Sequence, residues 1–267
     1  MPSFSLLTLN SFGLPFFLSW RRMHILAEEL DQRQDTVVCL QEIQQDAYIP
    51  VLRKRLTQYP YQCFKKYFYA PMGGLVTASK LPFVSYEFLP FPNRGKWWSI
   101  GFADWALRKG VLASTFEVEG QQIIVLNTHI HANYLGSWSK DSMLAKIQSD
   151  QVWFLAEQAK AQSRDALVII CGDFNFPRDT FLYEELAEIS GFTDPLKDDP
   201  RPTYRPVSIL AAKWSVTLDF IFYRIPDRID MSIEADILPI ENSRARNSSS
   251  KFLSDHCALT IKARWRR

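Results

Sequence analysis

Eight apolar segments, most of them stopped abruptly by a turn former or a polar side chain, constrain this chain more than any other feature. They are FSLLTLN (4–10), TVVCL (36–40), GLVTAS (74–79), VLASTFEV (111–118), QIIVLNTH (122–129), ALVIICG (166–172), TLDFIFY (217–223) and CALTIKA (257–263). Val, Ile, Leu, Phe and Thr dominate them, and Gly, Pro, Asn or Asp bound them, as strands require. Helical spacing falls between them. Residues 19–31 open at Ser19, a candidate N-cap, and repeat apolar side chains at Met23, Leu26, Ala27 and Leu30; residues 139–161 set Leu144, Ile147, Phe154 and Leu155 on one face. A third helix is expected over 179–190, ending before Gly191. Strands alternating with helices, together with back-to-back strand pairs such as 111–118 and 122–129, imply a mixed-sheet α/β protein rather than a purely parallel one.

With 267 residues, 47% of them hydrophobic, the chain can bury a sizeable core. No repeat, low-complexity tract or linker divides it, so residues 1–267 are expected to form a single domain, and a monomer. Two long segments without strand or helix pattern, 90–110 and the Pro-rich 192–215, are long enough to be functional loops. A formal charge of +2 is too small for the basic field of a protein that lives on nucleic acid, yet does not exclude a nuclease. Cys39, Cys63, Cys171 and Cys257 lack metal-binding spacing and read as reduced core residues. The start MPSFSLLTLN has no secretory pattern and no long apolar run follows, so the expected location is cytoplasmic.

Chemistry-bearing residues gather where the strands stop. LLTLN ends at Asn10, VVCLQE at Glu42, IIVLNTH at His129, and LVIICGDFN at Asp173 and Asn175; SVTLDF holds Asp219, and FLSDH holds Asp255 and His256 just before the last strand. Ligands of open α/β sheets collect beyond strand carboxyl ends, so these side chains can converge on one cleft. Each has an ordinary reading too: Asn10 as a turn opener, Glu42 as a helix-start acid, GDFNFP as Asx-turn chemistry. Asp219, flanked by Leu218 and Phe220, is costly to bury without a partner. Carboxylates and an amide without convergent cysteines suit a hard cation such as Mg²⁺ or Mn²⁺, and histidines beside carboxylates suit proton transfer. These residue types point to metal-assisted hydrolysis of a phosphate ester.

The ordered set LN, LQE, NTH, GDFN, LDF and SDH resembles the endonuclease/exonuclease/phosphatase superfamily, over nearly the whole chain from Asn10 to His256. The resemblance implies a deoxyribonuclease I-like, four-layered α/β sandwich: two packed mixed sheets with helices outside. It also implies that Glu42 is the principal Mg²⁺ ligand, supported by Asn10, with Asp255 completing the acidic cluster and Mn²⁺ as a possible substitute. Asp173 and Asn175 would position the water and the scissile phosphate. Asp219 would orient His256 as general base or phosphate contact, and His129 would stabilise phosphoryl oxygens or protonate the leaving group.

Within that superfamily, LNSFGLPFFLSWRRMHILAEEL and THIHANY look like the neutral sphingomyelinase branch, with Asn133 where the branch pattern has Glu. DWALRKG reproduces the branch's spacing at Asp104 and Lys109, which the resemblance places in the active site. The expected activity is a Mg²⁺-dependent phosphodiesterase on a phospholipid, of phospholipase C type, with a Mg²⁺-dependent nuclease of the same superfamily as the alternative. Trp97 and Trp98, interleaved with Arg94 and Lys96, have the composition of a peripheral membrane contact, and loop packing is their ordinary reading. In a regular strand His129 and His131 would face one way, as in a paired metal site, but oxygen ligands already supply the cleft. His129→Ala is therefore expected to abolish turnover while leaving Mg²⁺ binding in place, and His131→Ala to do less; an activity assay beside a metal titration reads both.

Overall fold

The computed structural model describes residues 1–13, 17–98, 100–205, 215–245 and 251–266. Two mixed sheets pack face to face, and helices cover their outer faces. The first sheet contains β1 (Ser3–Asn10), β2 (Val37–Gln41), β3 (Tyr61–Cys63), β4 (Val76–Ser79), β10 (Met231–Leu238) and β11 (Ala258–Trp265), in the order β10-β11-β1-β2-β4-β3. The second runs β5 (Ser85–Pro90), β6 (Gly110–Val118), β7 (Gln121–His129), β8 (Leu167–Asp173) and β9 (Asp219–Arg224) in sequence order. Each sheet has one parallel pair, β1 with β2 and β7 with β8; all other neighbours are antiparallel. The parallel pairs are joined through α1 (Phe17–Asp31) and α4 (Met143–Lys160), because a parallel crossover needs a connection long enough to return.

Period-2 alternation sorts the side chains into layers. On β1, Leu7 and Leu9 face α1 and α2 (Tyr48–Arg55), while Phe4 and Leu6 face the second sheet. On β7 and β8, Ile123, Val125, Leu167, Ile169 and Cys171 meet that inner layer, while Ile124, Leu126, Val168 and Ile170 pack under α4 and α5 (Phe181–Ser190). Three apolar layers therefore hold four layers of structure. Asn10, Gln41, His129, Asp173 and Asp219 continue the inward parity at the ends of their strands. His129, Asp173 and Asp219 are direct ladder partners across β7, β8 and β9.

All these positions lie at one end of the sandwich. The carboxyl ends of β1, β2, β7 and β8 point there, and antiparallel pairing brings the amino ends of β9 and β11 to the same place. Two glycines permit the close approaches beneath the site. An added Cβ on Gly13 would lie 1.8 Å from the carbonyl oxygen of Glu42, and one on Gly172, at φ +143°, would lie 1.9 Å from that of Thr128. Only glycine lets the chain after β1 sit on Glu42 and lets β7 and β8 come this close.

Several boundaries differ from the sequence expectation. Ser19 lies inside α1, which starts at Phe17, and the expected 139–161 helix is shortened to Met143–Lys160 with Ser142 at its N-cap. The 90–110 segment is not all loop: it holds a short helix, α3 (Phe102–Leu107). Edge strands β3, β5 and β10 were not legible at all, and the 206–214 part of the long Pro-rich loop lies outside the described residues. Cys39, Cys63, Cys171 and Cys257 are all buried and unpaired by disulfides. No helix among the described residues is long and apolar enough to cross a membrane.

Candidate active site

Asp173 closes β8 and uses its two oxygens differently. Oδ1 accepts the backbone N–H of Asn175 at 2.9 Å, an Asx turn that holds Asn175 in the left-handed region at φ +54°. Oδ2 accepts the Asn10 amide Nδ2 at 2.8 Å and lies 3.5 Å from His129 Nε2 and 4.0 Å from His256 Nε2. The turn and the site are thus the same motif: the ordinary chemistry of GDFN frees one oxygen for the cleft. Asn175 in turn donates from Nδ2 to the Ile130 carbonyl at 3.0 Å, tying the turn to the end of β7.

Glu42 follows β2 in a left-handed conformation, φ +60°. Its Oε1 accepts Asn10 Nδ2 at 3.1 Å, and its Oε2 is buried with no hydrogen-bond partner among the described residues. Asn10 Oδ1 is taken by the Phe12 N–H at 2.9 Å, so this amide presents its nitrogen to both carboxylates and positions them rather than offering an oxygen ligand. Burial holds the Glu42 carboxyl above the usual carboxylate range. Burial likewise pushes Asp173 up to about 7, against the pull of His256 and helped by the neighbouring charge of Asp219. Glu42, Asp173 and His129 offer ligand atoms within 4.8 Å of one another, as do Asp173, Asp219 and His256. An orphaned, desolvated oxygen beside a second buried carboxylate fits a hard divalent cation. Asp255 stands outside both tight groups, on the wall of the same cleft, its carboxyl raised by burial.

The histidines differ in charge. Burial works to lower the His256 pKa, but the charge of Asp219, whose Oδ2 accepts Nδ1 at 2.8 Å, outweighs it together with Asp173 and Asp255 and pushes the imidazole up to about 10. The buried Asp219 therefore has the partner that its apolar flanks demanded. Burial and the Lys109 ammonium instead hold His129 well below the ordinary histidine range. Lys109 Nζ lies 2.9 Å from His129 Nε2; an ammonium can only donate, so Nε2 accepts and is not free for a cation. The other two Lys109 donors go to the Ile130 carbonyl at 2.9 Å and Asp104 Oδ1 at 2.7 Å.

Asp104, in the first turn of α3, also accepts the Ala132 N–H at 2.8 Å and the Tyr134 hydroxyl at 3.3 Å through Oδ2. It so fastens the HANY loop to α3 and to Lys109, which lies between α3 and β6. Burial alone would raise its carboxyl, but Lys109, His131 and these donors hold it below the usual range. His131 Nδ1 donates to the Ala132 carbonyl at 2.8 Å and lies 3.4 Å from Asp104 Oδ2. The two histidines therefore part: β7 stops at His129, and His131 braces the loop instead of facing the carboxylates.

Supporting residues that sequence reasoning passed over sit one inward step below the site. Gln41 Nε2 donates to Thr8 Oγ1 at 3.0 Å and across the sandwich to Asn127 Oδ1 at 2.7 Å, while Asn127 Nδ2 reaches the Leu40 and Val76 carbonyls at 3.3 and 3.2 Å. Their signal was present as polar residues at the inner parity of LTLN, LQE and LNTH. Arg22 of α1 donates to the Ser11 and Leu253 carbonyls at 2.7 Å each and to that of Phe12, joining the loop after β1 to the one before β11. Tyr204 packs on the His256 ring with centroids 5.0 Å apart, a contact that only the fold creates.

Glu42, Asp173, Asn175, Asp255 and His256 open onto a cleft of about 550 Å³ whose lining also includes Tyr134, Leu135 and Trp138. The model of the endonuclease/exonuclease/phosphatase family matches residues 7–256. The chain belongs to that family. A candidate neutral sphingomyelinase of Drosophila melanogaster is 28% identical over 272 residues, covering 97% of this chain. The chain spans only 60% of that relative's length. Among solved structures, a Staphylococcus aureus beta toxin variant with bound magnesium ions superposes with a TM-score of 0.75 at 18% identity, covering 96% of this chain and 98% of the toxin. D. rerio TDP2 complexed with a single-strand DNA product gives 0.74 at 19%, covering 98% of this chain and 99% of the TDP2 chain in that structure. These neighbours share the fold of this family member.

Metal should therefore couple to stability. Mg²⁺ is expected to raise the thermal midpoint at pH 8, with the shift shrinking as pH falls below about 7, where Asp173 takes up a proton that competes with the ion. Glu42→Gln should remove the shift at every pH, measured by scanning calorimetry.

Proposed function

We propose that residues 1–267 act as one catalytic domain, a divalent-metal-dependent phosphodiesterase whose substrate is a phospholipid of the sphingomyelin type, cleaved to release its phosphorylated headgroup. Mg²⁺ is the proposed ion, with Mn²⁺ as a substitute. The observation that carries the reading is the division of charge around the cleft: a cation-seeking carboxylate oxygen on Glu42 at one side, and a protonated His256 at the other, opening toward an apolar wall. A phosphodiester has an anionic centre that fits between these groups, and a lipid has an apolar body that fits the wall. The sphingomyelinase relative supports the choice of lipid.

The bound ion would neutralise charge on a phosphoryl oxygen and on the leaving oxygen. Glu42 would be its principal holder, with Asp255 facing the same space and Asn10 fixing the two central carboxylates. Asp173, poised near neutrality, positions the attacking water and takes its proton. His256, oriented by Asp219, presents an imidazolium to the phosphoryl oxygens and would give its proton to the leaving oxygen, to be restored from the proton Asp173 has taken, and Asn175 supplies an adjacent amide. His129 stays neutral and, backed by the Lys109 charge that Asp104 anchors, stabilises those oxygens rather than passing a proton through Nε2.

A nuclease of the same family is the second reading, which the TDP2 neighbour supports at the level of fold. The sequence offers a basic cluster for backbone phosphates, Arg53, Lys54 and Arg55 with Lys65 and Lys66, although on a helix such a cluster is ordinarily a solvated face. Arg53, Lys54 and Arg55 lie in the last turn of α2, where Arg55 is paired with Glu28 at 2.6 Å, whereas Lys65 and Lys66 are exposed in the segment before β4. What favours the lipid is the apolar part of the cleft lining, Tyr134, Leu135 and Trp138.

A substrate panel tests the choice. With Mg²⁺, the protein should hydrolyse sphingomyelin in detergent micelles and bis-p-nitrophenyl phosphate, and EDTA should abolish both; cleavage of plasmid or abasic-site DNA with sphingomyelin untouched would overturn the lipid reading. The pH profile of kcat/KM should rise through about 7 as Asp173 loses its proton and fall through about 10 as His256 loses its own. Asp219→Asn removes the charge that raises His256, so its alkaline limb should move to lower pH and its turnover at pH 8 drop by about 10²-fold.

A further inference from the structure

Exposed aromatic side chains are distributed unevenly between the two ends of the sandwich. Antiparallel pairing brings three long segments to the cleft end: 64–75 between β3 and β4, 91–109 between β5 and β6, and 130–142 after β7. Phe68 is 92% exposed, Trp97 59%, Trp98 66%, Phe102 54% and Leu135 65%, and all belong to these segments. Among the described residues, the connecting loops at the opposite end expose Val84 and Ile225 but no Trp or Phe, while Tyr61 and Tyr86 are exposed at the starts of β3 and β5 and Trp153 along α4. Scattered apolar residues on a surface need no explanation, whereas a rim of them around one opening does.

The 64–75 segment shows that this exposure is built. Lys66 pairs with Pro71, and Met72 N–H donates to the Lys65 carbonyl at 2.8 Å, closing a turn whose tip is Tyr67, Phe68 and Tyr69. Asp46 N–H donates to the Tyr69 carbonyl at 2.8 Å, bracing the turn against the chain that carries Glu42. The Arg108 guanidinium sits 5.3 Å from the Tyr67 ring centroid and ties the turn to the end of α3. The tip is therefore held out by its own hydrogen bonds, with Lys65 and Lys66 exposed at its base.

We infer that the cleft end is a bilayer-docking face on which the 65–72 turn is a second anchor beside the Trp97–Trp98 loop, with Phe68 and Tyr69 entering the interfacial region and Lys65 and Lys66 meeting anionic headgroups. The inference rests on the lipid reading of the cleft, which this orientation would present directly to the membrane surface. Aromatic residues flanked by Lys and Arg are the composition that partitions into the headgroup layer. Single-stranded nucleic acid also takes aromatic and basic residues, but along a groove of stacking faces. Here the Trp97 and Trp98 rings stand edge to face at 87°, and aliphatic Ile100 and Leu135 share the rim, which gives a greasy surface rather than a stacking platform.

Sedimentation of the protein with phosphatidylcholine vesicles, with and without phosphatidylserine, tests this without any chemistry. The protein should pellet with vesicles containing phosphatidylserine, and less so when ionic strength rises from about 0.1 to about 0.5 M. Phe68→Ser with Tyr69→Ser should weaken partitioning about ten-fold or more, and Lys65→Glu with Lys66→Glu should abolish the preference for phosphatidylserine. Both double variants should hydrolyse bis-p-nitrophenyl phosphate at the unaltered rate, which shows that they fold. Absence of pelleting with either vesicle, or pelleting of both double variants like the parent, overturns the inference. So does loss of oligonucleotide binding in the Phe68/Tyr69 variant with vesicle binding unchanged. A protein that pellets but leaves sphingomyelin intact fails only as a sphingomyelinase; one that cleaves sphingomyelin in micelles but never pellets fails only here.

Discussion

One buried carboxylate oxygen, Asp173 Oδ2, is where the two sheets meet chemically. It accepts a hydrogen bond from Asn10, which ends a strand of the other sheet 163 residues away in sequence, and it lies against the imidazoles of His129 and His256. That contact requires the sheets to be in one register relative to each other. The Gln41–Asn127 bridge immediately beneath supplies it, since Gln41 Nε2 and the Asn127 amide find these partners when the strands are aligned. The apolar inner layer gives the sandwich its cohesion without specifying alignment; this polar seam specifies it.

Burial then sets the chemistry. Removing water raises Glu42 and Asp173 and lowers His129, while a close carboxylate reverses the effect for His256. Two histidines in one cleft thus differ in charge because one faces Lys109 and the other faces Asp219. The Asp104–Lys109 pair is itself buried, and it is tolerable there because each of the three ammonium protons has an acceptor. Glu42 Oε2, like His129 Nδ1, has no such partner among the described residues, and an unpartnered carboxylate oxygen beside the buried Asp173 is what marks a cation site.

Much of this was legible from local pattern. The central strands were visible because residues buried on both faces form long apolar runs, and their polar stops stood out against them. The strands that escaped notice, β3, β5 and β10, are all at sheet edges, where one side is solvent; SYEFLP is almost wholly exposed or half-buried, and MSIEADIL alternates with charged residues. Helix α3 was hidden because six residues rich in aromatics carry no helical periodicity. The site list, in contrast, came from motif order, and the structure assembles Asn10, Glu42, His129, Asp173, Asn175, Asp219 and His256 within one neighbourhood, with Asp255 on its wall.

By itself the sequence determined which residue types stand at which strand ends and, by period 2, which apolar residues share a face with each of them. That is local information, carried by Cβ direction along each strand. The tertiary structure decided which of them touch. It turned the Asn10 amide nitrogen toward two carboxylates, gave Lys109 to His129 and Asp219 to His256, stopped β7 so that His131 turned away, and set Phe68, Trp97, Trp98 and Phe102 at the cleft end. These outcomes depend on contacts between residues far apart in the chain, whose distances are set only when both sheets have packed and water has left the space between them.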